Sequence, residues 1–172
     1  MEKIKAQFIG ENIYSNSKFA YSLNKKNYFG EKKEDKINYN FFEALYLKEL
    51  GILEIYENSK KMLKEEIIKK IQKKDKKFIQ KYIVYKNLRK KSYVLKSGLK
   101  FGADFRVYEK NKNPLKEHSK WLLIIEENSN RIKWEEFTSK NRVANSTKKN
   151  LLIAIVDNEE SVIYYEIKWI KP

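Results

Sequence analysis

A chain of 172 residues with 41% hydrophobic and 14% aromatic content can build one or two small domains and is too apolar for a disordered polymer. Lys and Arg outnumber Asp and Glu by 38 to 23, and the resulting net charge of +15 favours polyanionic partners, nucleic acid first among them. The absence of cysteine excludes disulfides and thiolate metal sites, and a single histidine argues against structural zinc.

No apolar leader follows the opening Met-Glu-Lys, and no apolar run reaches membrane-spanning length, so the expectation is a soluble intracellular protein. Residues 3 to 9 read as a first strand ended by Gly10. Residues 11 to 39, rich in Asn, Ser, Lys and Tyr, read as short strands and turns of a small antiparallel sheet. At Asn40 the period changes. Phe41, Phe42, Leu45, Tyr46 and Leu50 fall on one helical face, with Gly51 just past the helix end. Ile52 to Tyr56 predicts a strand, and Asn58 or Ser59 a cap for a helix with apolar positions Met62, Leu63, Ile67 and Ile71.

The charged run from Ile71 to Phe78 predicts a boundary between an N-terminal α/β domain, 1–74, and a second domain, 75–172. Its lysines could touch RNA, although a solvated turn between helices is the preferred reading, and Asp75 can cap the helix that opens the second domain. Phe78, Tyr82, Tyr85 and Leu88, with Ile79 and Ile83, form the buried face of that helix. Tyr93 to Lys96 reads as a strand, Trp121 to Ile125 as a strand buried on both faces, and Asn128 to Asn130 as a turn. Trp134 to Phe137 starts a short helix. Leu151 to Val156, the most apolar segment, is expected as the central strand, followed by an acidic loop and a closing strand from Val162 to Trp169.

Between these lies the most informative stretch, Leu99 to His118. The strand from Ala103 to Tyr108 puts Asp104, Arg106 and Tyr108 on one face and Phe105 and Val107 on the other. The loop from Lys110 to Lys116 then delivers His118, the only histidine. A phenol and an imidazole so arranged could form a proton-transfer pair. A surface histidine and a structural tyrosine fit the same spacing.

The segment YEKNKNPLKEHS, preceded by LKFGADFRV and followed by VANSTKKNLLIAIVD, resembles the catalytic domain of the archaeal tRNA-intron endonucleases. The resemblance spans nearly the whole chain and includes FFEALYLKELGILEI. It implies a small N-terminal domain of mixed helix and antiparallel sheet, followed by a restriction-endonuclease-like α/β domain with a central mixed sheet. It also implies cleavage of precursor tRNA at bulge-helix-bulge intron boundaries, without metal or other cofactor. The ribose 2′-hydroxyl would attack the adjacent phosphate, leaving 2′,3′-cyclic phosphate and 5′-hydroxyl ends.

In that scheme Tyr108 is the base, His118 the acid and Lys149 the stabiliser of transition-state charge. A free tyrosine has a pKa of about 10, so a phenolate base needs nearby cations, for which Arg106 and Lys149 are candidates. Imidazole suits protonation of a leaving oxygen near neutral pH, and a fixed ammonium suits a charged phosphorane. Asn145, Ser146 and Thr147 could cap a short helix facing a phosphate. The resemblance assigns Arg142 to stacking on a substrate base; pairing with a carboxylate such as Glu136 is the structural alternative. It assigns Asp157, Glu159 and Glu160 to a contact between subunits of a homotetramer, or of a heterotetramer with a related subunit, acting in the cytoplasm. Two other readings remain open. One is a metal-dependent restriction-type nuclease using Asp104 and the Glu166-Ile167-Lys168 element; the other is a non-catalytic RNA-binding or structural subunit of a heteromeric endonuclease.

Overall fold

A computed structural model describes residues 3–128 and 131–170. The chain forms two compact units, Met1–Phe78 and Ile79–Pro172.

The first unit builds a six-stranded sheet from β1 (Ile4–Ile9), β2 (Asn12–Ser15), β3 (Glu31–Lys33), β4 (Lys36–Tyr39), β5 (Leu53–Glu57) and β6 (Lys60–Lys61), in the order β3-β4-β2-β1-β5-β6. Only β1 and β5 pair in parallel; the remaining neighbours are antiparallel. Strict alternation along β1 buries Ile4, Ala6 and Phe8 and exposes the residues between them. Helix α2 (Phe41–Glu49) starts at a capping box, in which Asn40 Oδ1 accepts from Glu43 N at 2.9 Å and the Glu43 carboxylate accepts from Asn40 N at 3.2 Å. It ends before Gly51, whose φ of 72° is free of strain only for glycine.

Two expectations for this unit are corrected. Residues 11 to 39 hold a helix, α1 (Lys18–Asn27), besides their strands; it is capped by Ser17, whose side chain accepts from Ala20 N at 3.2 Å. Asn58 and Ser59 cap no helix. Both have positive φ, 47° and 66°, and turn β5 into β6, the conformation that a tight hairpin demands. Met62 and Leu63 therefore precede α3 (Lys64–Gln72), in which Ile67 and Ile71 are the buried positions.

Helix α4 (Phe78–Lys90), all but its first residue in the second unit, leads to β7 (Val94–Ser97), β8 (Phe105–Tyr108), β9 (Trp121–Glu127), helix α5 (Trp134–Ser146), β10 (Asn150–Val156) and β11 (Val162–Ile167). The sheet order is β11-β10-β9-β8-β7, mixed, with β9 and β10 parallel. The central strand is thus β9, not Leu151 to Val156. Apolarity reports cover on both faces, which β10 has, and carries no information on strand order. Of the expected turn at Asn128 to Asn130, Ser129 and Asn130 lie outside the described residues.

One sheet face packs on α5, where Ala144 meets Leu122, Ile124, Leu151 and Ile153. Burial of each of these leucines and isoleucines contributes roughly 1.5–3 kcal/mol. The other face packs on α4. Tyr85 and Phe105 lie 5.8 Å apart ring to ring, and the Tyr164 hydroxyl donates to Asn87 Oδ1 at 3.0 Å. Helix α5 is much longer than the expected Trp134 to Phe137. Its last residues are Asn145 and Ser146, with Thr147 as its C-cap, so these three residues close a helix and offer no N-terminal amides to a phosphate.

Candidate active site

The site grows from a tight turn after β7. Phe101 N donates to Gly98 O at 2.8 Å and Gly102 N to Leu99 O at 3.1 Å, closing a single helical turn over Leu99–Phe101. Gly98 has no room for a side chain: a Cβ there would stand 2.7 Å from the Ala103 carbonyl oxygen. This turn presents the half-buried Phe101 ring to two cations. The Lys149 Nζ lies 5.4 Å from the ring centroid, and the Arg106 guanidinium carbon lies 5.9 Å from it.

Each cation is further fixed by a carbonyl. Arg106 Nε donates to Ser97 O at 2.9 Å, and Lys149 Nζ donates to Thr147 O at 2.9 Å. Partial burial, and then the charge of Arg106, hold the Lys149 ammonium below the usual lysine range. Lys149 is thereby distinguished from Lys148, which is exposed and has a φ of 56° just beyond the C-cap of α5.

Strand register brings in the phenol. Val107 pairs with Trp121, and Asn150 pairs with Trp121. Beyond those pairs, Lys120 N donates to Val107 O and Asn150 N to Lys120 O, both at 3.0 Å. Tyr108, Lys120 and Lys149 therefore stand in one row at the same end of β8, β9 and β10. Tyr108 shares the face of Arg106, two residues before it. It is 2% exposed, so its ring also belongs to the core. His118 is exposed and lies two residues before Lys120, on the loop that leads into β9.

The other predicted residues stand outside this row. Arg142 projects from the exposed side of α5, and Glu136 forms an ion pair with Lys140 at 2.9 Å. Asp157, Glu159 and Glu160 lie at and beyond the opposite end of β10, roughly 26 Å from Lys149 at strand rise. There Asp157 Oδ1 accepts from Glu159 N and Ser161 N at 2.9 and 2.8 Å, making a tight turn into β11. Asp104 forms an ion pair with Lys81 at 3.3 Å and accepts from Ile125 N at 2.9 Å. Glu166 accepts from Trp121 Nε1 at 3.0 Å and from Asn150 Nδ2 at 2.6 Å. These two carboxylates serve separate structural roles. Among the described residues no group of three or more His, Asp or Glu side chains could hold a metal ion.

Sequence reading missed Phe101. The available signal was an aromatic residue framed by Gly98 and Gly102, a spacing that only a tight turn explains.

Comparison with known proteins adds a family. The profile of the tRNA intron endonuclease catalytic C-terminal domain matches residues 78–164, and that of the tRNA intron endonuclease N-terminal domain matches residues 4–68. The chain is 39% identical over 163 residues to the tRNA-splicing endonuclease of Thermococcus kodakarensis, covering 94% of this chain and 95% of that one. It is 40% identical over 163 residues to that of Pyrococcus abyssi, covering 94% of each. To that of Nanoarchaeum equitans it is 46% identical over 136 residues, covering 76% of this chain and 87% of that one.

Proposed function

The chain belongs to the tRNA intron endonuclease family, and on that premise we propose that it is a tRNA-splicing endonuclease that excises introns from precursor tRNA by metal-independent transesterification. The observation that carries the catalytic assignment is the pair of cations, Arg106 and Lys149, held around Phe101 beside the Tyr108 row.

Tyr108 takes the proton of the ribose 2′-hydroxyl, whose oxygen attacks the adjacent phosphorus. The O2′–P bond forms and the P–O5′ bond breaks, with His118 donating a proton to the departing 5′-oxygen. Lys149, with Arg106 behind it, stabilises the extra negative charge on the pentacovalent phosphorus. The products are a 2′,3′-cyclic phosphate and a 5′-hydroxyl. Arg142, exposed on α5 just upstream of Lys149, stacks on an unpaired base of the substrate while its fork engages phosphate.

The substrate is a precursor tRNA folded as a bulge-helix-bulge, met in the cytoplasm. The acidic turn Asp157, Glu159 and Glu160 contacts another subunit in a homotetramer, or in a heterotetramer with a related chain. Support for assembly comes from the position of that turn far from the catalytic row, and from Ile163 and Tyr165 of β11, which are 55% and 53% exposed. Among the described residues no helix is long and apolar enough to cross a membrane.

The test is cleavage of an intron-containing precursor tRNA in EDTA, with end-group analysis. Cyclic phosphate and 5′-hydroxyl ends are expected. Cleavage that occurs only on addition of Mg²⁺ would overturn the metal-independent mechanism. The native mass, alone and with a candidate partner chain, tests the assembly.

A further inference from the structure

The end of the sheet that carries Tyr108 and Lys149 has a second feature on its other face. Val107 and Trp121 are paired there, and beside them lies an open pocket of about 370 Å³ lined by Tyr93, Glu109, Lys110, Lys112 and Trp121. The two rings meet edge to face, with centroids 6.0 Å apart and planes at 72°, so they make a corner and leave ring faces uncovered by each other. Those faces are accessible to charged groups. Lys110 Nζ lies 5.4 Å from the Tyr93 centroid and Lys120 Nζ 4.7 Å from that of Trp121.

The corner is built in advance. Trp121 is oriented by its Nε1–H, which donates to Glu166 at 3.0 Å. Two of the surrounding lysines are committed to carboxylates, Lys112 to Glu117 at 2.6 Å and Lys120 to Glu109 at 2.5 Å. Lys110 has no carboxylate partner among the described residues. From Glu109 to Lys120 the chain carries four lysines against two glutamates, so an anion is favoured. This same segment joins Tyr108 to Lys120, the two members of the catalytic row at the ends of β8 and β9.

We propose that this pocket holds one unpaired nucleotide of the RNA substrate flanking the scissile phosphate. Its base stacks on the Tyr93–Trp121 corner in place of the Lys110 ammonium, and Lys110 moves onto the neighbouring phosphate. Stacking is open to any base, because every base has a π face, and it requires an unpaired one, because a base inside a duplex has no free face. The inference rests on the endonuclease reading and adds to it a subsite on the sheet face opposite Tyr108.

The experiment measures affinity for an intron-containing precursor tRNA made non-cleavable by 2′-deoxy substitution at both cut sites. It compares wild type, Tyr93→Leu and Lys110→Ala over a range of salt. Tyr93→Leu is expected to weaken binding about tenfold, the scale of one lost base–aromatic stack. Lys110→Ala, an exposed change that leaves the fold alone, is expected to reduce the slope of log affinity against log salt by about 0.7. Unchanged affinity and slope in both variants, with wild type cleaving the unmodified precursor, would overturn the subsite and leave the endonuclease standing. A wild-type protein that neither binds nor cleaves the precursor would overturn the endonuclease reading and the subsite with it. If Tyr93→Leu misfolds by circular dichroism, the salt slope of Lys110→Ala decides alone.

Discussion

The Lys149 ammonium sits 5.4 Å from the centre of the Phe101 ring, with Arg106 5.9 Å from the same centre. An aromatic quadrupole beside two like charges attracts both, offsets part of their repulsion and holds them near the point where anionic charge would develop. Phe101→Leu keeps the apolar bulk and removes the ring. A cation–π contact at this exposure is worth about 0.5–1 kcal/mol, so single-turnover cleavage should fall about two- to fivefold. An unchanged rate would mean that the carbonyls of Ser97 and Thr147 alone position the cations.

The pH dependence comes from the same cluster. Burial first, and Arg106 second, lower the proton affinity of Lys149 from the ordinary lysine value of 10.5. A lysine depressed in the fold binds its proton less tightly there than in the unfolded chain. Its penalty on stability is therefore present at neutral pH and is relieved as pH rises from the folded value toward 10.5. Activity that needs the charged ammonium falls over that same alkaline window. Arg106→Gln should move the midpoint of Lys149 upward, read by NMR titration of 13C-methylated lysines. A midpoint that stays put or drops would remove Arg106 as a cause.

His118→Ala should slow cleavage by about 10²-fold or more while leaving affinity for the precursor nearly unchanged, the pattern of a lost general acid. Arg142→Ala should do the reverse, raising KM with a smaller effect on kcat. Steady-state kinetics with both variants separates the roles. Wild-type rates in the His118 variant would end its assignment as the acid.

Gly98 tests the turn that carries Phe101. Its φ of −98° suits any residue, so only contact decides the outcome. An alanine Cβ would stand 2.7 Å from Ala103 O and 2.9 Å from the carbonyl carbon of Phe105, both backbone atoms that cannot rotate away. Gly98→Ala should cost about 1–3 kcal/mol, measured by urea unfolding. A neutral substitution would show that the turn can shift.

In the first unit, Glu54 receives Lys61 Nζ at 2.6 Å, the Tyr56 hydroxyl at 2.9 Å and Lys3 Nζ at 3.4 Å. Lys61 first and Tyr56 next pull its carboxyl down to about 2. A depressed carboxylate contributes stability above its unfolded value of 4.5, and that contribution is lost as pH falls through about 2. Glu54→Gln should flatten the acid limb of the stability profile in this window, followed by denaturant midpoints at stepped pH. An acid limb as steep as that of wild type would assign the slope to other carboxylates.

Much of the fold was legible because burial writes itself into local periodicity. Alternation in residues 3 to 9, the helical face of Phe41, Leu45 and Tyr46, and the continuous apolar runs at Trp121 and Leu151 all predict the elements observed. Where few apolar residues were available, the reading failed. Helix α1 has little beyond Phe19, Ala20 and Leu23 to mark a face, and its clearest signal was Ser17 at the cap. Helix α5 buries only Ala144 fully along its 13 residues, so its polar surface hid its length. Asn58 and Ser59 suit a cap and a hairpin turn alike, and the short antiparallel partner β6 decided for the turn.

By itself the sequence determined a basic, cysteine-free α/β chain with one histidine, strands and helices at most of their positions, and a family resemblance anchored on Tyr108, His118 and Lys149. Tertiary structure alone decided that β9 is central, that Tyr108 and Lys149 share a row through Lys120, and that Arg106 and Lys149 both approach the Phe101 ring. The reason is the range of the forces involved. Side-chain periodicity acts between residues three or four apart, whereas strand register is set by hydrogen bonds and packing between segments tens of residues apart, which no local pattern encodes.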